Sequence, residues 1–163
     1  MGKDFDAEVP QVRSFLEALA GELGYDLRRT MFEGPDAVLH HPIASSTPSL
    51  FMEAISALSL AVAQTFEAHG IRPDALAGRS MGEYTALMAA GAVDRPTGFH
   101  LLRCFADQAQ KDWGLLPGRV LTVYGLKPAD ARRISRAVTR ECGPCEIICL
   151  YQARRMAVVG GPQ

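Results

Sequence analysis

The sequence predicts an α/β protein in two parts, a larger, mainly helical part built around one strand-turn-helix and a smaller β-α-β-β part. Three observations carry this. A serine stands between glycines in Gly78-Arg79-Ser80-Met81-Gly82, where a short apolar segment gives way to a helical pattern. Up to Pro117-Gly118, apolar residues recur with helical spacing. After that boundary, runs rich in β-branched residues take over.

Val12, Phe15, Leu16, Leu19 and Leu23 fall on one helical face, and Gly24 follows as a cap, so the first helix is expected over Gln11 to Leu23. Tyr25 to Ser46, interrupted by Gly34-Pro35 and Pro42, reads as a short helical piece and then a loop. Thr47-Pro48 opens the clearest helix, with threonine as N-cap and proline in the first turn, and Phe51, Ile55, Leu58, Val62 and Phe66 as the expected buried stripe. It ends near His69-Gly70. Ile71-Arg72-Pro73-Asp74 is a turn into the expected strand Ala75-Leu76-Ala77, and Glu83 to Ala90 is a helix stopped by Gly91. Asp94-Arg95-Pro96 restarts a helix carrying Leu101, Leu102, Phe105 and Ala109 toward Trp113. Beyond residue 117 come a strand at Val120 to Tyr124, a helix from Pro128 to about Thr139, and strands at Glu146 to Tyr151 and Arg155 to Val159. This is most of a split β-α-β unit of the ferredoxin-like type, without its second helix and last strand. The parts divide as residues 1–117 and 118–163.

With 163 residues, 48% of them hydrophobic, the chain suffices for one substantial core and not for two full domains. Seventeen basic and eighteen acidic residues leave a net charge of -1, which gives no general attraction to nucleic acid or an anionic membrane. No run of eighteen apolar residues occurs and the N-terminus is charged, so a soluble, cytoplasmic protein is expected. Cys142-Gly143-Pro144-Cys145 has the spacing of a thioredoxin-type pair. Its context differs, since such a pair opens a helix and this one follows a helical segment, so Gly143-Pro144 reads as a helix stop. With Cys104 and Cys149 the only other cysteines, the second pair of a standard zinc ribbon is missing, and no metal is expected.

The chemistry centres on Ser80. A hydroxyl attacks a carbonyl when it projects from a tight strand-to-helix turn, and glycines on both sides, here Gly78 and Gly82, permit that turn. The helix that follows aims its free N–H groups at charge developing near the serine, the Met81 N–H being the first oxyanion donor. The same pentapeptide also occurs in ordinary α/β turns.

Thr47-Pro48-Ser49-Leu50-Phe51, Gly70-Ile71-Arg72-Pro73-Asp74-Ala75, Gly78-Arg79-Ser80-Met81-Gly82-Glu83-Tyr84 and Ala90-Gly91 together resemble the malonyl-CoA:acyl-carrier-protein transacylases, including the acyltransferase domains of fatty acid and polyketide synthases. The likeness runs from about Leu23 to the end of the chain. It implies part of an α/β-hydrolase-like large subdomain and an incomplete ferredoxin-like small one. It implies, too, transfer of a malonyl-type acyl group from coenzyme A to the phosphopantetheine thiol of an acyl carrier protein, through an oxyester on Ser80. Coenzyme A enters as the substrate's carrier, and no cofactor is expected.

The chain departs from the family at several positions. It begins at Met1-Gly2-Lys3, after the place of the family's opening strand and second oxyanion donor, and stops at Gln163, before its catalytic histidine. Arg79 stands where the family usually has histidine, and either attracts the acyl carboxylate or turns to solvent. The family's malonate-gripping arginine aligns with Phe105; Arg103, about 200° away on the same helix, substitutes only in a shifted register. His40, His41, His69 and His100 match no motif position. The expectation is therefore an impaired transacylase, with a non-catalytic or split-subunit protein that binds a complementary chain as the first alternative and a serine esterase as the second.

Overall fold

A computed structural model of the chain describes residues 2–34, 48–113 and 118–162. The chain falls into two compact units, Met1–Lys111 and Asp112–Gln163.

The first unit is helical: α1 (Lys3–Glu8), α2 (Pro10–Leu23), α3 (Leu27–Glu33), α4 (Pro48–Ala68), α5 (Gly82–Ala89) and α6 (Arg95–Trp113), which ends past the boundary of the unit. In α2, proline occupies the first turn, Val12, Phe15, Leu16 and Leu19 are buried, and Gly24 ends the helix in the left-handed conformation at φ 76°. The Asp26 side chain caps α3 by accepting the Arg29 N–H at 2.8 Å. The unforeseen α1 is fixed by its buried Asp6, whose two carboxylate oxygens accept Nε and Nη2 of Arg28, each at 2.6 Å. That fork holds the Asp6 pKa below the ordinary value.

The core face of α4 is not the expected one. Ala54, Ala57, Leu60 and Ala61 are buried together with Glu53 and Ser56, while Phe66, placed in the stripe by spacing, is 52% exposed. Small residues let helices approach closely, so the alanines take the contact and the larger side chains flank it. By length and composition α4 could cross a membrane. Its fully buried Glu53 and Ser56, both hydrogen-bonded to neighbouring helices, mark it as the core helix of this unit. The Thr47 cap expected before it lies outside the described residues, as do His40 and His41. On α6, Phe99, Leu102 and Ala106 form the buried face, and the expected Leu101 and Phe105 are each 39% exposed.

The second unit has the expected β-α-β-β order: β1 (Gly118–Tyr124), α7 (Pro128–Cys142), β2 (Glu146–Tyr151) and β3 (Met156–Pro162). β3 lies between β1 and β2, antiparallel to both, so β1 and β2 are parallel to each other across it. This is a split β-α-β unit. A register shift between Ile147 and Cys149 leaves Ile148 outside the ladder.

Candidate active site

After α4 the chain turns at Gly70, φ 79°, with the Ile71 N–H bonded to the Phe66 carbonyl at 3.0 Å. The expected strand Ala75-Leu76-Ala77 does not form. Residues 71–80 are exposed, and no described backbone group pairs with residues 72–78. A strand exists only through its ladder, and all described strands lie in the other unit. The segment instead borders a cavity of about 690 Å³ against α5, with Leu76, Ala86 and Leu87 in its lining.

The turn that follows is sharp. Ser80 adopts φ 56°, one of two described non-glycine residues at positive φ, a conformation that costs a β-carbon-bearing residue free energy. The Gly82 N–H donates to the Arg79 carbonyl at 2.9 Å and the Glu83 N–H to the Ser80 carbonyl at 3.0 Å, so α5 starts directly behind the serine. The two glycines differ in what they permit. A β-carbon at position 78 would overlap the Gly82 carbonyl, whereas at position 82 it would meet open space. Only Gly78 is demanded by packing within the described residues. The Met81 N–H finds no acceptor among the described residues and stands at the start of α5, free to meet negative charge.

The elbow helix is tied to the core from beneath. The fully buried Ser56 hydroxyl on α4 meets the Thr85 hydroxyl on α5 at 2.8 Å, and Met88 packs where Gly98 leaves no β-carbon.

Arg103 pairs with a buried carboxylate on α4. Its Nε donates to Glu53 Oε1 at 2.5 Å, and its guanidinium lies 5.2 Å from the Tyr25 ring centroid. Glu53 is fully buried, and desolvation raises its pKa more than the Arg103 hydrogen bond lowers it. Phe105 instead approaches the elbow helix, its ring 5.9 Å from that of Tyr84. Arg103 is thus committed to an ion pair, for the reason the helical rotation gives: residues 103 and 105 project on different sides of α6. Arg79 is exposed beside the serine. The Ser80 hydroxyl bonds no described side chain; His69 Nδ1 contacts the Thr65 carbonyl at 2.8 Å, and His100 Nε2 lies 3.5 Å from Cys104 Sγ. Sequence reasoning missed Glu53, although a lone carboxylate inside the apolar run Leu50-Phe51-Met52-Glu53-Ala54-Ile55 signals a buried partner.

Ser80 in a left-handed turn, with the tightly packed Gly78 two residues before it and the start of α5 after it, has the local turn geometry of a nucleophile elbow without the strand that precedes one. No family model matches the chain. Its sequence is 28% identical over 141 residues to the malonyl CoA-acyl carrier protein transacylase of Bacillus subtilis, covering 86% of this chain and 43% of that protein. It is 29% identical over 128 residues to the mitochondrial malonyl-CoA-acyl carrier protein transacylase of Mus musculus, covering 75% and 32%. Its fold superposes, at a TM-score of 0.81 and 23% identity, on a malonyl-transacylase solved with its type II polyketide synthase acyl-carrier protein, covering 99% of this chain and 50% of that one. In sequence and fold the chain is a relative of the malonyl-CoA–acyl carrier protein transacylases and corresponds to part of their acyltransferase domain. It spans about half of the solved structure and less of the curated relatives.

Proposed function

We propose that this chain carries the nucleophile half of an acyltransferase that moves a malonyl-type acyl group from coenzyme A to the phosphopantetheine thiol of an acyl carrier protein. The observation that carries the reading is the Ser80 turn: positive φ at a serine, in a turn so tight that position 78 has no room for a β-carbon. Ser80 Oγ attacks the thioester carbonyl, the Met81 N–H stabilises the oxyanion, and the coenzyme A thiol leaves. The carrier thiol then attacks the seryl ester and restores the hydroxyl. The names of the relatives support the acyl donor, and the solved carrier-protein complex supports the acceptor. Arg79 is the arginine proposed to meet the acyl carboxylate; Arg103 is assigned to holding Glu53. Among the described residues no histidine bonds Ser80, and the reading requires a base to take its proton.

A second reading rests on the unpaired segment 72–78 and the cavity beside it. A backbone with open hydrogen-bonding groups beside a groove of mixed polar and apolar lining accepts a strand, and a complementary chain supplying that strand would complete the surroundings of the turn.

The test is carrier-protein malonylation by the purified chain, with Ser80→Ala as background. Slow transfer that needs the serine supports the first reading; transfer only after a complementary polypeptide is added supports the second; undiminished transfer by Ser80→Ala rejects both.

A further inference from the structure

The acyl chemistry leaves one sequence motif unused. Cys142 ends α7 and Cys145 immediately precedes β2, and neither is in a disulfide. Both line one cavity of about 540 Å³, together with Arg119, Leu121, Val138 and Val159. The turn between them is held by the helix it leaves. The Cys145 N–H donates to Thr139 Oγ1 at 3.0 Å, and its carbonyl accepts from Ser135 Oγ at 2.5 Å and from Thr139 Oγ1 at 3.2 Å. Cys145 is thereby fastened beside the last turns of α7, the second of which ends at Cys142. Gly143, at φ 111°, supplies the reversal that brings the chain back.

We propose that Cys142 and Cys145 form a vicinal dithiol site that closes reversibly to a disulfide by exchange with a low-molecular-weight disulfide such as oxidised glutathione. The thiolate of Cys142, the more exposed of the two, attacks one sulfur of the small disulfide, forming a mixed disulfide and releasing one small thiol. The thiolate of Cys145 then attacks the Cys142 sulfur and releases the second. The protein dithiol gives up two electrons and two protons, and the small disulfide leaves as two thiols. Because the pair closes a helix instead of opening one, it lacks the N-terminal donors of an oxidoreductase site. The product is a clasp across the α7–β2 turn, in the lining of the cavity.

Phenylarsine oxide, which needs two neighbouring thiols, is the probe for the reduced full chain; oxidised glutathione followed by peptide mapping is the probe for closure. Wild type, Cys104→Ser and Cys149→Ser are expected to bind one equivalent of the arsenical. Cys142→Ser and Cys145→Ser are expected to bind it about a hundredfold more weakly, as loss of the second tether removes the effective concentration. Glutathione treatment of wild type is expected to yield a Cys142–Cys145 disulfide, and each single variant a lasting glutathione adduct. Equal arsenical binding by wild type and Cys142→Ser, or a wild type that gives only mixed disulfides or a bond to Cys149, overturns the proposal. Mapping on wild type decides the matter even if a serine variant does not fold.

Discussion

β1 and the stretch Ala75-Leu76-Ala77 are both short apolar runs set off by turn residues, yet they end differently. β1 pairs along its whole length with β3, from Gly118 opposite Pro162 to Tyr124 opposite Met156. The stretch before Ser80 pairs with nothing described and remains exposed. In the small unit every partner of the sheet lies within the next forty-odd residues, so local pattern is enough to build it. At the elbow the turn is local, with Gly78 packed against the Gly82 carbonyl, while the described strands, all in the other unit, pair only with one another. The elbow therefore keeps its turn without its ladder.

The largest effect that would break this contrast is expected at Gly78. Gly78→Val inserts a side chain where the Gly82 carbonyl lies, and overpacking of this kind costs about 1–3 kcal/mol. Since the displaced atoms are those of the serine turn, Ser80 acylation should fall by about a hundredfold or more, while the helical circular dichroism signal stays near wild type. Next comes Arg103→Ala, which leaves the buried Glu53 carboxylate without its partner. A loss of about 2–3 kcal/mol in chemical denaturation is expected, below the range for a fully buried pair because the arginine side chain is 36% exposed.

Asp6 and Glu53, the two buried carboxylates among the described residues of the first unit, should separate by pH. Burial raises the Glu53 pKa above 4.5 in the fold, so its contribution to stability is complete below the unfolded value and declines as pH rises through the raised one. Arg28 lowers the Asp6 pKa below 3.8, so its contribution is present above the unfolded value and declines as pH falls through the lowered one. Subtracting the stability curves of Glu53→Gln and Asp6→Asn from wild type should give slopes of opposite sign; slopes of the same sign would contradict the assignment.

Smaller effects sharpen the picture. Ser56→Ala should cost about 1 kcal/mol, read in denaturation, by leaving the Thr85 hydroxyl without its bond. Gly82→Ala should be the mildest change: the added methyl meets no described atom, and alanine favours the helix by roughly 0.5–1 kcal/mol. A variant at position 82 as damaging as one at 78 would mean that the two glycines are equivalent.

The small unit was legible because alternation and turn residues act over a few residues: Glu146 to Tyr151 is β2 within the bounds its β-branched run suggests. The Ser80 turn was legible for the same reason, although of its two flanking glycines only Gly78 answers to a backbone requirement. The core face of α4 was not, because spacing marks the large residues, and it was Ala54, Ala57 and Ala61 that a close helix crossing selected. Nor was the Glu53–Arg103 pair, whose members stand 50 residues apart. The direction of Arg103 follows from the rotation of α6 only once Phe105 is known to approach Tyr84.

Peptide mapping after incubation with malonyl-CoA tests the central claim most directly. A single malonyl adduct on Ser80, absent from Ser80→Ala and strongly reduced in Gly78→Val, is the predicted result. An adduct on another residue, or one on Ser80 that forms equally fast in Gly78→Val, would contradict the account.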